Sequence, residues 1–535
     1  MKKYLFIALA AFAFAACEKP ADDNNAQQNG ELEQSYVAIT LASSDMGTRA
    51  EDELDKNFED GDPAESVVNK AFVFFFRDGV AFPVSHSNNT TTEGPANGSN
   101  YLPLTLTMND EGDATNNVSD YSNEILVIEN YRGEYPNQVI AVLNWQPTAA
   151  NYDIEDLQKE LLAIKNGEHF VMCNSVYADD ESTPKKTIIA TPITEANIGT
   201  ENDVNKLEAV QIYVERLAAK VTYSADNNGK FDIKRTVLDR TTDTEIQVYA
   251  QIKGYELFDA YYDSWLVKQI DPNWSNTDLG FTWNDSPLYR SYWANSYNNR
   301  TDLSFPATNS FNWNNNPAEA YCGENTRPDA NDRTKVIIKA QLVDANDNPV
   351  EVVNWLGKDY VSEDYLKIVV ANTLNQKYFS STDQKVYEGI TPGDLKCVAS
   401  ASDADNAYYV YFQLSDGNTK TWYVKSADGH YTAVVNMNSE LMDVHPALVY
   451  KNGMTYYYTD IRHLANDVTK TGAYGVVRNH VYKVNITDIT GFGTPVYDPT
   501  QDFVEVDTPD DIYTYVSAQI NILSWRIVNR DYNLQ

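Results

Sequence analysis

A mainly β protein built as two β-sandwich domains is what this chain of 535 residues predicts, on three observations. Short apolar segments alternate with period two, as half-buried strands do. Asn228-Gly229, Asp416-Gly417 and Asp428-Gly429 are dipeptides that supply the positive φ of tight turns. Helical patterns never alternate with strands in a βαβ rhythm, which argues against a parallel sheet. The length exceeds what one hydrophobic core usually supports, hence two domains. With 12% aromatic residues, Tyr foremost at 37, the composition is that of a folded chain and not of an acidic disordered one.

In chain order, Lys2 and Lys3, an apolar run over residues 4–14 and Ala15-Ala16-Cys17 form the three parts of a secretory signal over residues 1–17. The run is well short of the roughly 20 residues that span hydrocarbon, so an export signal is expected in place of a transmembrane anchor. Small residues before a Cys resemble a bacterial lipobox, which makes Cys17 the expected lipid attachment point. Residues 18–35 are polar and low in complexity, a tether. In YVAITLA (36–42), Val37, Ile39 and Leu41 occupy one face of a first strand. The next segment, SSDMGTRAEDELD, has the marks of an exposed, protease-accessible loop, with Arg49 its single basic residue.

Strands are expected at 67–76, 124–129 and 138–144. One helix stands out at 154–165: Ile154, Leu157, Leu161 and Ile164 share a face, Asp153 caps it and Asn166-Gly167 stops it. It is the minor helix of the N-terminal domain. The domain boundary falls near the alternating segment 210–221, giving domains over 50–222 and 223–535. Residues 408–414, 421–425 and 431–436 read as an antiparallel meander, and 273–316, rich in Trp, Tyr and Asn, as long loops.

The net charge of −36 repels phosphate backbones and excludes nucleic acid as a partner. There is no Gly-rich phosphate loop, HExxH or GxSxG, and the six histidines (His86, His169, His430, His445, His463, His480) lack metal-ligand spacing. Glu51-Asp52-Glu53 reads as a solvated face and not as a carboxylate pair for glycoside chemistry. Asp344, Asn346 and Asn348 have the spacing of a calcium loop, but Pro349 and Trp355 stand where its Gly and Glu belong, so a plain turn is expected. Cys173, Cys322 and Cys397 allow at most one disulfide and show no CxxC. No catalytic residue, metal or cofactor is assigned, and the chain is not read as an enzyme.

Near the C-terminus Val516, Ala518, Ile520 and Ile522 alternate with Ser517, Gln519 and Asn521, the same pattern that Val37, Ile39 and Leu41 present. After Ile522 the apolar phase slips to Leu523, Trp525 and Ile527, so a bulge is expected near Ser524. Read locally, 516–527 is either the last core strand of its own domain or a strand offered to another chain. Upstream, YGVVRNHVYKVNI (474–486) puts His480, Tyr482, Val484 and Ile486 on one strand face and is followed by Gly491 and Gly493.

Together with the lipobox, the loop Arg49, ERLAAK (215–220) and the closing SWRIVNRDYNLQ (524–535), the YGVVRNH segment resembles the Mfa-type (minor fimbria-like) fimbrillins, stalk subunits of Bacteroidales type V pili. The resemblance implies transthyretin-like sandwiches, no catalysis, and export as an acylated lipoprotein to the outer membrane. It implies cleavage between Arg49 and Ala50 by an Arg-specific protease, which removes residues 18–49 with the first strand. The groove left behind would take the C-terminal donor strand (516–535) of an identical or homologous fimbrillin subunit, in a cell-surface fimbrium that serves adhesion and includes anchor and tip subunits. The rival reading is a lipid-anchored glycan-binding or adhesin module that does not polymerise, with Trp274, Trp283, Trp293 and Trp313 as sugar platforms.

Overall fold

The structure, a computed structural model, describes residues 32–43, 58–84, 98–104, 124–131, 134–178, 187–200, 202, 206–269, 289–290, 294–297, 318–327, 332–400, 409–463, 472–499 and 515–526. The expected mainly β character is borne out. In chain order come β1 (Leu32–Ser43), β2 (Phe58–Asp60), β3 (Ala71–Arg77), β4 (Glu124–Tyr131), β5 (Gln138–Leu143), helix α1 (Ile154–Lys159), β6 (Met172–Asn174), β7 (Ile198–Gly199) and β8 (Val210–Arg216). All of these strands except β2 share one sheet, in the order β7-β1-β8-β6-β5-β3, with β4 also paired to β1.

The second half contributes β9 (Ala219–Ala225), β10 (Lys230–Asp239), β11 (Thr244–Phe258), β12 (Glu319–Cys322), β13 (Lys335–Val343), α2 (Glu363–Leu374), α3 (Met437–Met442), β14 (Met454–Asp460), β15 (His480–Thr490) and β16 (Tyr515–Arg526). A five-stranded sheet has the order β2-β16-β15-β9-β12, and β10, β11, β13 and β14 are consecutive neighbours in a larger antiparallel one.

Period-two burial builds the cores. Val37, Ile39 and Leu41 join Phe74, Phe75, Val142 and Ile212 in one cluster; Val221, Val248, Ile338, Tyr457, Tyr482, Val484 and Ile486 form a second. The chain crosses from the first cluster to the second between Ala218 and Ala219. A third cluster gathers Leu366 and Val370 of α2, Leu441 of α3, Trp355 and Phe412.

Several local expectations are corrected. The helix starts where expected, with Asp153 and Asp156 forming a capping box, but it ends at Lys159. Residues Leu161–Ala163 turn extended and pair with Asp263–Trp265, because a second strand offers them a ladder that a last helical turn would forgo. Gly167, at φ 62°, closes the turn between Lys165–Asn166 and His169–Phe170 and stops no helix. Helix α2 went unread: its Ile368-Val369-Val370 run looks like a strand. Its start is nonetheless marked by Ser362, whose hydroxyl accepts the Tyr365 N–H, and by Glu363 and Asp364 in the first turn.

Of the three turn dipeptides, only Asp428-Gly429 lies between paired strands, Trp422–Lys425 and Tyr431–Ala433. Asn228-Gly229 instead carries the chain from β9 into β10, which lie in different sheets. A positive φ fixes the turn and not the pairing that follows it.

Candidate strand-exchange site and its buried charges

Strand β1 lies inside its sheet. Ile39 faces Glu124 of β4 on one side and Val210 of β8 on the other; β4 runs antiparallel over residues 32–39, β8 parallel over 39–43, and β7 adds an antiparallel pair at Tyr36 and Val37. Val37 and Ile39 are 0% exposed and Leu41 2%. Taking this strand away would therefore leave a slot with two unpaired backbone edges and an apolar floor, a template for another strand. Cys17, Arg49, Ala50 and Ile527 lie outside the described residues, as do Trp274, Trp283, Trp293 and Trp313.

Strand β16 carries Val516, Ala518, Ile520, Ile522 and Trp525. It lies antiparallel on β15, with Val516 opposite Ile489, Ala518 opposite Ile486, Ile520 opposite Val484 and Ile522 opposite Tyr482. Its outer edge meets β2 in parallel: Phe58, Glu59 and Asp60 stand beside Ser524, Trp525 and Arg526. The expected bulge near Ser524 is not there, since the register runs unbroken through Ser524 opposite His480. The irregularity sits in the partner strand between Ile486 and Asp488, where β15 absorbs an extra residue and the core face passes from Ile486 to Ile489. The strand face read at His480, Tyr482, Val484 and Ile486 falls in β15, which begins at His480 behind Asn479 at φ 57°.

The residues before that strand serve differently from a strand face. Arg478 is fully buried. It donates from Nη2 to Glu324 Oε2 at 2.8 Å and to Ser264 Oγ at 3.1 Å, and from Nη1 to the Leu266 carbonyl at 3.1 Å. Glu215, likewise buried, accepts from Lys268 Nζ at 2.8 Å and from the Ser175 hydroxyl at 3.2 Å. Its neighbour Arg216 donates from Nε to the Glu65 carbonyl at 3.1 Å and from Nη2 to Ser66 Oγ at 2.9 Å. Sequence reading singled out ERLAAK and YGVVRNH but missed Glu65, Ser66, Lys268 and Glu324. An Arg or Glu inside an otherwise apolar alternation was the signal that such partners exist.

Beside Arg216, Lys220 Nζ bridges Glu65 at 2.8 Å and Glu319 at 2.7 Å, and the Tyr321 hydroxyl stands 2.5 Å from each carboxylate. Burial alone would lower the Lys220 pKa, but the hydrogen bonds to Glu319 and Glu65 outweigh it and hold it above the ordinary lysine value. This polar knot fixes the 3-10 turn Pro63–Ser66 to β8, β9 and β12. Burial pushes the Cys173 and Cys322 thiols up to about 12, which suits packing and not nucleophilic chemistry. Cys173, Cys322 and Cys397 are free thiols. Asp344 accepts the Asn346 and Asn348 N–H groups in a turn, as expected of it. Among the described residues no group of His, Cys, Asp and Glu is placed to hold a metal ion, and no helix is long and apolar enough to cross a membrane.

Among solved structures the chain is similar to a fimbrilin (fimA) from Porphyromonas gingivalis W83, at 12% identity and TM-score 0.35 over 92% of this chain and 98% of that one. It is also similar to the tip fimbrial protein Mfa3 from Porphyromonas gingivalis, at 10% identity and TM-score 0.28 over 92% and 100% of the two chains. A fimbrial assembly protein from Parabacteroides distasonis ATCC 8503 aligns at 11% identity and TM-score 0.28 over 76% and 100%. No curated protein matches the chain. Residues 448–531, which take in β14, β15 and β16, match the family described as major fimbrial subunit protein type IV, fimbrillin, C-terminal. The match to the fimbrillins is thus confined to that C-terminal region.

Proposed function

We propose that this chain is a structural subunit of a cell-surface pilus, without catalytic activity, that polymerises by exchanging strands. In this reading Cys17 is acylated and holds the precursor at the outer membrane until an Arg-specific protease cuts between Arg49 and Ala50. The cut releases the tether together with β1. The vacated slot takes Val516, Ala518, Ile520, Ile522, Trp525 and Ile527 from the C-terminal strand of an identical or homologous subunit, and anchor and tip subunits complete the fimbrium. Residues 50–222 and 223–535 serve as its N-terminal and C-terminal domains.

The observation that carries the reading is the place of β1: interior to its sheet, bonded on both sides, and with Val37, Ile39 and Leu41 in the core. Burying three such side chains is worth about 1.5–3 kcal/mol each before ordering costs, so the slot favours an occupant. Strands β1 and β16 are both 12 residues long, which supports the idea that one replaces the other.

The test is a pair of variants. Arg49→Ala should trap the full-length acylated precursor and abolish heat-resistant ladders, and deletion of residues 516–535 should leave a processed monomer. Ladders from the deletion variant would refute strand donation, and filaments from Arg49→Ala would refute strand removal. Surface material should begin at Ala50; a mature N-terminus at acylated Cys17 would favour a resident binding protein instead.

A further inference from the structure

Strand β16 rests on its own molecule, paired to β15 from Tyr515 to Ser524, and one short element lies along its other edge. That element, β2, is the first described strand after Arg49, and it is tied down immediately downstream. The Asp62 N–H donates to Glu65 Oε2 at 2.6 Å, and the Glu65 carbonyl and Ser66 hydroxyl accept from buried Arg216. Lys220 and Tyr321 hold the Glu65 carboxylate. Upstream, β2 connects to β1, itself fixed between β4 and β8. In the uncut chain β2 is thus held at both ends, and its three residues lie against Ser524, Trp525 and Arg526.

We infer that β2 is a clasp on the C-terminal strand, and that the cut after Arg49 loosens it. This rests on the reading of β16 as the donated strand and adds the control of its release. A strand on a sheet edge peels away residue by residue from its free end, and the end of β16 nearest the C-terminus is the stretch that β2 covers. While β1 stays in place, β2 can leave β16 only within the reach of a loop fixed at both ends. Cutting the chain removes one tether from both states, and the open state of β2, with more residues free, gains more conformational entropy than the closed one. One cleavage then does two things: it empties the acceptor slot and lowers the barrier to releasing the donor. Uncleaved precursors carry a filled slot and a clasped donor, which keeps them from assembling before export is complete.

A three-residue ladder contributes a few hydrogen bonds of modest net worth, enough for about a tenfold effect on the opening equilibrium of the strand it covers. Hydrogen exchange of the β16 amides reads that opening directly in a monomer. In full-length chains carrying Arg49→Ala, Glu59→Pro removes an amide donor from β2 and fixes φ at its middle residue. It should raise exchange over residues 515–526 about tenfold while the amides of β14 stay protected. Should the proline also expose β14, replacing Phe58, Glu59 and Asp60 by glycine provides the same reading with the backbone donors kept and the strand weakened. The wild-type chain cut after Arg49 should show a smaller rise in the same direction over its uncut form.

Unchanged exchange over 515–526 in a folded variant, or equal exchange before and after the cut, would overturn the clasp. Because the readout is made on monomers, it is separate from strand donation itself. If deleting residues 516–535 leaves ladders intact, the function falls whatever β16 does; if only the exchange fails to change, the clasp alone falls.

Discussion

Replacing Ile39 by alanine should destabilise the precursor and leave the cleaved subunit untouched. Ile39 is 0% exposed and stands in the middle of β1, opposite Glu124 on one side and Val210 on the other. Its side chain packs in the cluster that includes Phe74, Val142 and Ile212. Truncating a buried Ile to Ala costs about 2–5 kcal/mol, the upper part of the range applying where rigid neighbours cannot collapse into the cavity. Here both flanking strands are hydrogen-bonded to β1, which limits collapse and places the expected loss in the upper half of that range. The assay is urea unfolding of the purified chain before and after treatment with an arginine-specific protease, with the midpoint and slope recorded for wild type and Ile39→Ala. Before the cut the variant should lose stability by that amount. After it the two curves should coincide, because the altered residue has left with its strand. A loss that survives cleavage would mean that β1 stays in the fold, and the groove account would fail. No loss before cleavage would mean that β1 is not a core strand at all.

Arg478→Met should cost about 3–5 kcal/mol, since it strands the buried Glu324 carboxylate and leaves the Leu266 carbonyl without its donor; a loss under about 1 kcal/mol in the same urea assay would show that water reaches the site. Adding Glu324→Leu to that variant should recover part of the loss, because both charges are then gone. Asp394 is the acid-sensitive group to watch. Burial pushes its pKa up, but hydrogen bonds from Lys420 and Thr391 outweigh that and hold it below the ordinary carboxylate value. Stability from this group is therefore present above the unfolded-state value and is lost as pH falls through the lower folded-state one. Asp394→Asn should flatten the fall in urea midpoint on the acid side, and an unchanged acid profile would refute that assignment.

Legibility in the sequence followed the physics of each element. Strand β1 could be read because one of its faces is buried and the other polar, and a period of two states that directly. The same alternation marks Val516, Ala518, Ile520 and Ile522 as a strand, yet alternation names a face and never a neighbour. That β16 lies on β15 and under β2 depends on contacts with segments far away in sequence, beyond any local pattern. The slip of apolar phase after Ile522 was a real feature of the sequence, but the sheet accommodates irregularity opposite Ser517 and not at Ser524. For Arg216 and Arg478 the motifs stood out while their roles did not. A buried guanidinium is explained only by its acceptors, and those of Arg478 lie on segments 154 or more residues away.

Those buried charges also answer how one chain could lose a strand from each of two sheets and remain folded. The first cluster holds together around Phe72, Phe74, Phe75, Val139, Ile140 and Ile212, to which β1 contributes Val37, Ile39 and Leu41 at one side. The second is built on β9, β11, β13, β14 and β15. Apolar contact between two such units is permissive about their mutual placement, whereas ion pairs and hydrogen bonds are directional. Arg478 ties the start of β15 to Glu324 and to the segment after Trp265. Arg216 ties the end of β8 to Glu65 and Ser66, and Lys268, two residues beyond Leu266, meets Glu215. Each pair carries a desolvation cost that apolar residues of similar size would avoid. In return each joins elements other than β1 and β16, so in the proposed exchange the junction would keep its geometry. On this account stability at the junction is given up for a fixed orientation, the property that a shaft of repeated subunits requires.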